Sequence, residues 1–406
     1  MSVIDALIEA CGAGHARAAG PTDAVGGVLP GWVVAPADSD ELSAVLRIAA
    51  DGQLAVVASG AGTKIDWGVP PTRVDLLVDV GRLAGVYDHA PDELTATIGA
   101  GTPMRAVRAV LARAGQRLAL DVASPGATLG GVLATEEAGP LRLSFGPPSA
   151  LVLAARAVLA DGGLVDSVPG HDLARLLCGS YGTLGVIVQA TMRLQPAPAA
   201  RAWVVRPVST PREVHELAAA LLSSSFLPAA IEADLPGGAR PSEFAVLVEG
   251  SSATAVSRAE AVARILGGGA TVDDGPPDWW GRYPFDGDDI ALRVAAPSGE
   301  LFAVIYALRD AAGVSVPVRG SSGTGILYAA LPGRMPPERV DGVLTAARAV
   351  LLARGGGSCT VLRAPHQVRA VVDTYGPIPV QPATRRAKVE LDPDGRLAPG
   401  RQPLAD

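Results

Sequence analysis

Apolar and polar positions alternate in short runs along the whole chain, and the period of that alternation changes from segment to segment. Leu42, Val45, Leu46 and Ala49 recur at helical spacing, with Asp38 or Ser39 placed to cap the helix and Gly52 to end it. A strand over 54–58 follows, then the glycine-containing loop SGAGTKIDWG and a strand over 74–80. Residues 86–89 and 94–98 read as a hairpin around Pro91-Asp92. Thr102 and Pro103 read as N-cap and first residue of a helix carrying Met104, Val107, Val110 and Leu111, stopped by Gly115. Beyond the loop SPGATLGG, strands over 151–159 and 185–194 surround a short helix near 172–178. This half is mixed α+β.

The pattern restarts after PAPAARA (196–202). Strand, helix, strand, strand, helix and strand fall at 202–208, 211–224, 230–234, 243–249, 253–266 and 270–272. The joint DDGPPDWWGRYPFDGDD leads into the same order at 290–296, 298–312, 314–318, 326–331, 336–353 and 358–363. Two tandem ferredoxin-like βαββαβ units are therefore expected, sharing one antiparallel sheet with helices on one face.

Composition narrows the function classes. With 406 residues, 49% apolar and 18% charged, the chain is globular and long enough for two or three domains. No apolar run reaches the roughly 18 residues that span a bilayer, and the first residues lack a basic segment before an apolar core, so a cytoplasmic protein is expected. A net charge of −7 with scattered arginines excludes a nucleic-acid face. Cys11, Cys178 and Cys359 fit no metal-ligand spacing and read as small buried thiols, so an iron–sulfur carrier would sit on another chain. Of 34 basic residues only Lys64 and Lys388 are lysine, which suggests sites that need a compact point charge.

Three glycine-bearing segments carry candidate chemistry. VVASGAGTKIDWG sets Gly60, Gly62 and Gly68 after a strand, where backbone N–H groups can close on an anion. It is neither a dinucleotide fingerprint, since Ile65 holds the third glycine position, nor a Walker loop. ASPGATLGGVLAT (123–135) offers N–H donors and hydroxyls with almost no side-chain bulk, suited to a large flat cofactor and its pyrophosphate. In GSYGTLGVIVQATMRLQP (179–196), Gly182 and Gly185 precede a β-branched strand that could lie against a planar ring.

These segments, in this order, resemble the FAD-binding domain of the vanillyl-alcohol oxidase or PCMH-type flavoproteins. More narrowly, YDHAPDELTATIGAGTPMRAVRAVLARAGQRLAL, SPGATLGGVLA, VPGHDLARLLCGSYGTLGVI and RRAKVELDPDGRLAPGR are similar to the smaller FAD-binding subunits of bacterial glycolate oxidase. The resemblance implies a PCMH-type FAD domain over 1–198, a cap over 199–375 that covers the reactive ring, and a tail over 376–406 returning to the FAD domain. It places Ser59, Gly60, Ala61, Gly62, Thr63 and Lys64 on the pyrophosphate. Pro125, Gly126, Thr128, Gly130 and Gly131 fall on the other side of the cofactor, and Gly182, Gly185, Val186 and Ile187 beside its ribityl chain or adenine. It implies FAD as cofactor, no metal, and oxidation of a small hydroxy acid or alcohol with electrons passed to a partner. A larger flavoprotein subunit and an iron–sulfur subunit would be those partners, and could hold the chain at the inner membrane.

The chain also departs from that pattern. GGLVDSVPGHDL is short and has His171 where the family has tyrosine, FGPPSAL (145–151) replaces an Arg-Asp pair, and Glu136-Glu137 stand where small residues are common. A flavin-carrying electron-transfer or structural subunit is therefore the alternative. Single residues stay two-sided. His171 is a base near the flavin or a helix-start histidine bonded to backbone. Arg293 pairs with a substrate carboxylate or with a surface acid. Lys388 approaches the reduced flavin or ties the tail down. Trp279, Trp280 and Tyr283 form a packing cluster or a substrate cage.

Overall fold

The computed structural model describes residues 2–167, 173–238, 240–377 and 382–401. The chain divides into two compact units, one of Met1–Ala138, Gly146–Ala197 and Pro379–Asp406, the other of Gly139–Phe145 and Pro198–Ile378.

The first unit begins with helix α1 (Val3–Cys11), whose Ser2 and Asp5 form a reciprocal capping box. Strand β1 (Ala16–Ala18) and strand β2 (Trp32–Val34) precede helix α2 (Ser39–Asp51), capped by Asp38, which accepts from the amides of Asp40 and Glu41. Strands β3 (Val56–Ser59) and β4 (Leu76–Asp79) complete a sheet ordered β1-β2-β4-β3, with β2 and β3 both parallel to β4. Leu7, Leu42, Val45 and Leu46 pack on Val34, Leu76 and Val78, so the helical stripe read from the sequence is the face that is buried. A second, antiparallel sheet runs β5-β6-β9-β7-β8, from β5 (Val86–Ala90), β6 (Thr95–Gly99), β7 (Val152–Val158), β8 (Leu164–Asp166) and β9 (Val186–Arg193). Helix α3 (Met104–Ala112) starts one residue later than expected, with Pro103 at its N-cap. The Thr102 hydroxyl is spent elsewhere: it accepts from Gly85 N (2.9 Å) and donates to Gly99 O (2.7 Å), closing the turn at the end of β6. Helix α4 (Leu129–Thr135) follows, with Thr128 as N-cap.

The second unit is one eight-stranded sheet in which the order β-α-β-β-α-β occurs twice. The first set is β10 (Ala200–Val208), α5 (Pro211–Leu222), β11 (Ala230–Leu235), β12 (Ser242–Gly250), α6 (Ser252–Leu266) and β13 (Thr271–Asp273). The second is β14 (Ile290–Ala295), α7 (Leu301–Ala312), β15 (Val318–Ser321), β16 (Ile326–Leu331), α8 (Pro337–Ala353) and β17 (Ser358–Arg363). The strands lie in the order β13-β10-β12-β11-β15-β16-β14-β17, so the two sets join through β11 and β15. Period-two alternation sends Val204, Phe244, Val246, Leu292 and Val361 into one core with Leu217, Val262, Leu308 and Leu344 of the helices. The strand expected at 314–318 forms instead at Val318–Ser321. Pro317 has no N–H to give a ladder, and only its carbonyl is used, by Ala330 N at 3.0 Å. The segment Gly139–Phe145 sits with this unit although it interrupts the sequence of the first; Ser144 Oγ meets the carbonyls of Pro228 and Ala229, each at 3.1 Å.

Candidate cofactor cradle

A cavity open to solvent lies in the first unit. All three glycine-bearing segments line it. The loop leaving β3 contributes Ser59, Gly60, Ala61, Gly62, Thr63 and Lys64; the second segment contributes Thr128, Gly130 and Gly131; the third contributes Gly182, Gly185, Val186 and Ile187. Pro125 and Gly126 are not among the lining residues. Ala100, Ala134, Thr135, Tyr181 and Arg401 are, though none had been singled out as a cofactor contact. Their signal in sequence was position: each lies next to, inside or downstream of a recognised segment.

The cradle depends on missing side chains. A Cβ on Gly60 would stand 2.2 Å from Thr128 Oγ1, so the first and second loops approach at a distance only glycine permits. Gly62 holds φ +69°, turning the loop back on itself. Gly130 lines the cavity and also permits a close approach. Its Cβ would meet Ala100 Cβ at 2.8 Å and Ala100 O at 3.0 Å, so the bare glycine lets α4 dock on the end of the second sheet. Tyr181 and Glu136 both sit at left-handed φ, +54° and +51°, and bracket the same wall, an arrangement often found where a site stores strain.

The donor set suits an anion. No hydrogen bond among the described residues takes the amides of Ala61, Gly62 or Thr63. Among the described residues the lining includes the hydroxyls of Ser59, Thr63, Thr128 and Thr135 and two cations, Lys64 and Arg401, and no carboxylate side chain. The residues present therefore fit a diphosphate.

Lys64 is placed on the cavity wall, but its charge is already matched. Its Nζ donates to Glu137 Oε2 at 2.6 Å, and the two side chains are 4% and 0% exposed. The other Glu137 oxygen accepts from Ser124 N at 3.0 Å. Sequence reading noticed Glu137 only as a departure.

Lys388, on helix α9 (Pro382–Leu391), resolves toward one of its two readings. Its ammonium donates to Thr183 O (2.8 Å), Leu397 O (3.3 Å) and Asp392 Oδ2, and it does not line the cavity. The tail beyond it returns to the first sheet: Ala398 N donates to Val56 O at 2.8 Å, and Val56 N to Arg396 O at 2.9 Å. Arg401 then donates to Ile65 O and Trp67 O, both at 2.7 Å, bracing the first glycine loop.

His171 falls outside the described residues. Arg293 belongs to β14 in the second unit, half-buried, and its guanidinium makes no hydrogen bond or ion pair among the described residues. Trp279, Trp280 and Tyr283 pack on their own sheet: Trp280 meets Trp203 edge-on, Trp279 Nε1 donates to Glu243 Oε2 at 2.6 Å, and Tyr283 stacks on Phe285. The three thiols are buried, as expected; burial pushes Cys178, with Glu136 nearby, and Cys359 up to about 12. No group of His, Cys, Asp and Glu among the described residues could hold a metal ion, and no described helix is long and apolar enough to cross a membrane.

Comparison with known proteins agrees with this site. Residues 30–167 match the family described as FAD binding domain. The chain is similar to D-lactate dehydrogenase of Archaeoglobus fulgidus, 33% identical over 171 residues, covering 40% of this chain and 38% of that one. It is 34% identical over 172 residues to glycolate oxidase subunit GlcE of Escherichia coli, covering 40% of this chain and 49% of that one. The matched stretch thus spans less than half the length of these relatives. Among solved structures, p-cresol methylhydroxylase with substrate bound superposes with a TM-score of 0.72 at 14% identity, covering 98% of this chain and 96% of that one. That likeness carries the fold.

Proposed function

We propose that this chain, whose residues 30–167 match the FAD binding domain family, is a PCMH-type flavoprotein and acts as a dehydrogenase subunit that oxidises a small 2-hydroxy acid or alcohol. The observation that carries the reading is the convergence of three glycine segments on one cavity with open amides and no carboxylate. Bound there, FAD supplies a two-electron acceptor. The amides of Ala61, Gly62 and Thr63 bind its diphosphate in this reading, while Gly185, Val186 and Ile187 form a flat wall that excludes water from the rest of the cofactor. Lactate and glycolate, in the names of the relatives, are both 2-hydroxy acids, so the substrate is expected to carry a carboxylate. Arg293, half-buried and without an acidic partner among the described residues, is the candidate to hold it as a bidentate pair. His171 is the candidate to take the hydroxyl proton. The repeated β-α-β-β-α-β order supports reading the second unit as a cap of two ferredoxin-like modules that selects substrate. Electrons then leave for a partner, a larger flavoprotein or an iron–sulfur subunit.

A second reading, a flavin-carrying subunit with no substrate site of its own, is favoured by Lys388, whose ammonium is engaged by Thr183 O of the third glycine segment and by Asp392 and Leu397 of the tail. Anaerobic mixing with glycolate and with each enantiomer of lactate and 2-hydroxyglutarate separates the two. Bleaching of the flavin by one of them, with Arg293→Met raising the half-saturating concentration at unchanged flavin content, supports the dehydrogenase. A flavin that no hydroxy acid or alcohol reduces leaves the carrier reading.

A further inference from the structure

Lys64 lines the cofactor cavity, yet its ammonium is 2.6 Å from a carboxylate that is 0% exposed. A cation placed to hold a diphosphate would be weakened by such a neighbour, since the carboxylate cancels its charge at the moment an anion approaches. Glu137 is also doubly committed: Oε2 accepts from Lys64 of the first glycine loop, and Oε1 from the amide of Ser124, which opens the second. Its own amide donates to Val132 O at 3.1 Å, so the carboxylate is fixed to α4. The Trp67 ring centroid lies 6.0 Å from the ammonium, which also reaches Thr63 Oγ1 at 3.4 Å. One buried acid therefore joins both walls of the cradle.

We propose that Lys64 and Glu137 form a neutral clamp that sets the spacing of the two phosphate loops before the cofactor arrives, and that the diphosphate is bound by backbone amides rather than by Lys64. Both are positioning residues. The proposal rests on the reading of this cavity as the FAD site, and deepens it.

Its signature is rescue. In Lys64→Met, Glu137 loses its Lys64 partner beside an anion site, and FAD affinity should fall on the order of 100-fold. Adding Glu137→Gln removes that charge while keeping an oxygen for Ser124 N. The double variant, uncharged on both sides, should bind FAD within about 5-fold of wild type, because uncharged residues can replace a buried pair at little cost. Glu137→Gln alone leaves Lys64 unbalanced. It should lower the melting temperature of the deflavinated protein while binding FAD more tightly, with a steeper dependence on salt than wild type.

FAD titration of the deflavinated full chain, monitored by flavin fluorescence at two salt concentrations, reads all four proteins. If Lys64 grips the diphosphate directly, the double variant stays as weak as Lys64→Met, and the clamp is overturned. If Lys64→Met does not fold, the double variant against wild type still decides: near-equal affinity supports the clamp, a loss of tenfold or more overturns it. A wild-type chain that takes up no FAD would instead overturn the cofactor reading itself, an outcome distinguishable from failure of the clamp.

Discussion

Gly60→Ala is the smallest change that should disable the cradle. The added methyl would sit 2.2 Å from Thr128 Oγ1 and 3.2 Å from Thr128 Cβ and Cγ2. Carbon and oxygen atoms at rest need roughly 3.5 Å, so Thr128 has to move by more than about 1 Å. Thr128 cannot move freely, because its hydroxyl caps α4 by accepting from Gly131 N at 3.4 Å and its carbonyl accepts from Val132 N at 3.0 Å. Overpacking costs about 1–3 kcal/mol and a lost cap about 1 kcal/mol. If bound FAD requires the native spacing of the loops, the dissociation constant rises by roughly 30- to 1000-fold. Gly62→Ala is the control: its Cβ would find only Ser59 Oγ, at 4.0 Å, and the penalty is the left-handed backbone alone, about 1–2 kcal/mol. Thr128→Ala in the Gly60→Ala background removes the closest atom and should recover about tenfold of the lost affinity. Titration of deflavinated protein with FAD reads each step. A Gly60→Ala chain that binds within threefold of wild type would refute the claim that the two loops meet at this point.

Gly130→Val should purify without flavin and melt at lower temperature, because its side chain is driven into Ala100, whereas Gly356→Ala, with nothing within 4 Å, should keep its flavin. Lys388→Met should lower global stability by about 2–4 kcal/mol in denaturant titration, because Asp392 is left as a buried carboxylate of 0% side-chain exposure. Cys178 and Cys359 hold their protons in the folded state up to about 12, against 9.0 for an ordinary thiol. The folded protein therefore binds more protons than the unfolded one between those values, and stability should fall as pH rises from about 9 toward 12. A Cys178→Ser variant that shows the same alkaline slope contradicts that assignment. FAD should be released entirely into the supernatant on acid precipitation, since neither histidine nor cysteine is among the described residues that line the cavity; colour in the pellet would show a covalent link.

Much of the site was legible because glycine is an economical signal: Gly60, Gly62, Gly130, Gly131, Gly182 and Gly185 all line one cavity. Period-two and helical spacing likewise exposed the doubled strand–helix order of the second unit, since burial on one face imposes that period on the residues. What escaped was long-range. Glu137 lies 73 residues from Lys64, and no local spacing marks two charges that meet only after the loops fold together. The same limit hid a second constraint on Gly130, its close approach to Ala100. Thr102 looked like a cap because local chemistry favours one, and a nearby turn claimed its hydroxyl instead. Scarcity of lysine did single out two engaged residues, but both turned out to neutralise buried acids.

The central claim is that the glycine cradle of the first unit binds the diphosphate half of FAD. Calorimetric titration of the deflavinated chain with FAD, repeated in the presence of ADP and then of FMN, addresses it most directly. ADP carries the adenosine and diphosphate that the cradle would grip, whereas FMN lacks both. The account predicts one FAD per chain, competitive weakening by ADP, and little effect of FMN at the same concentration. FAD binding that is absent, or that ADP leaves unchanged while FMN displaces it, would contradict it.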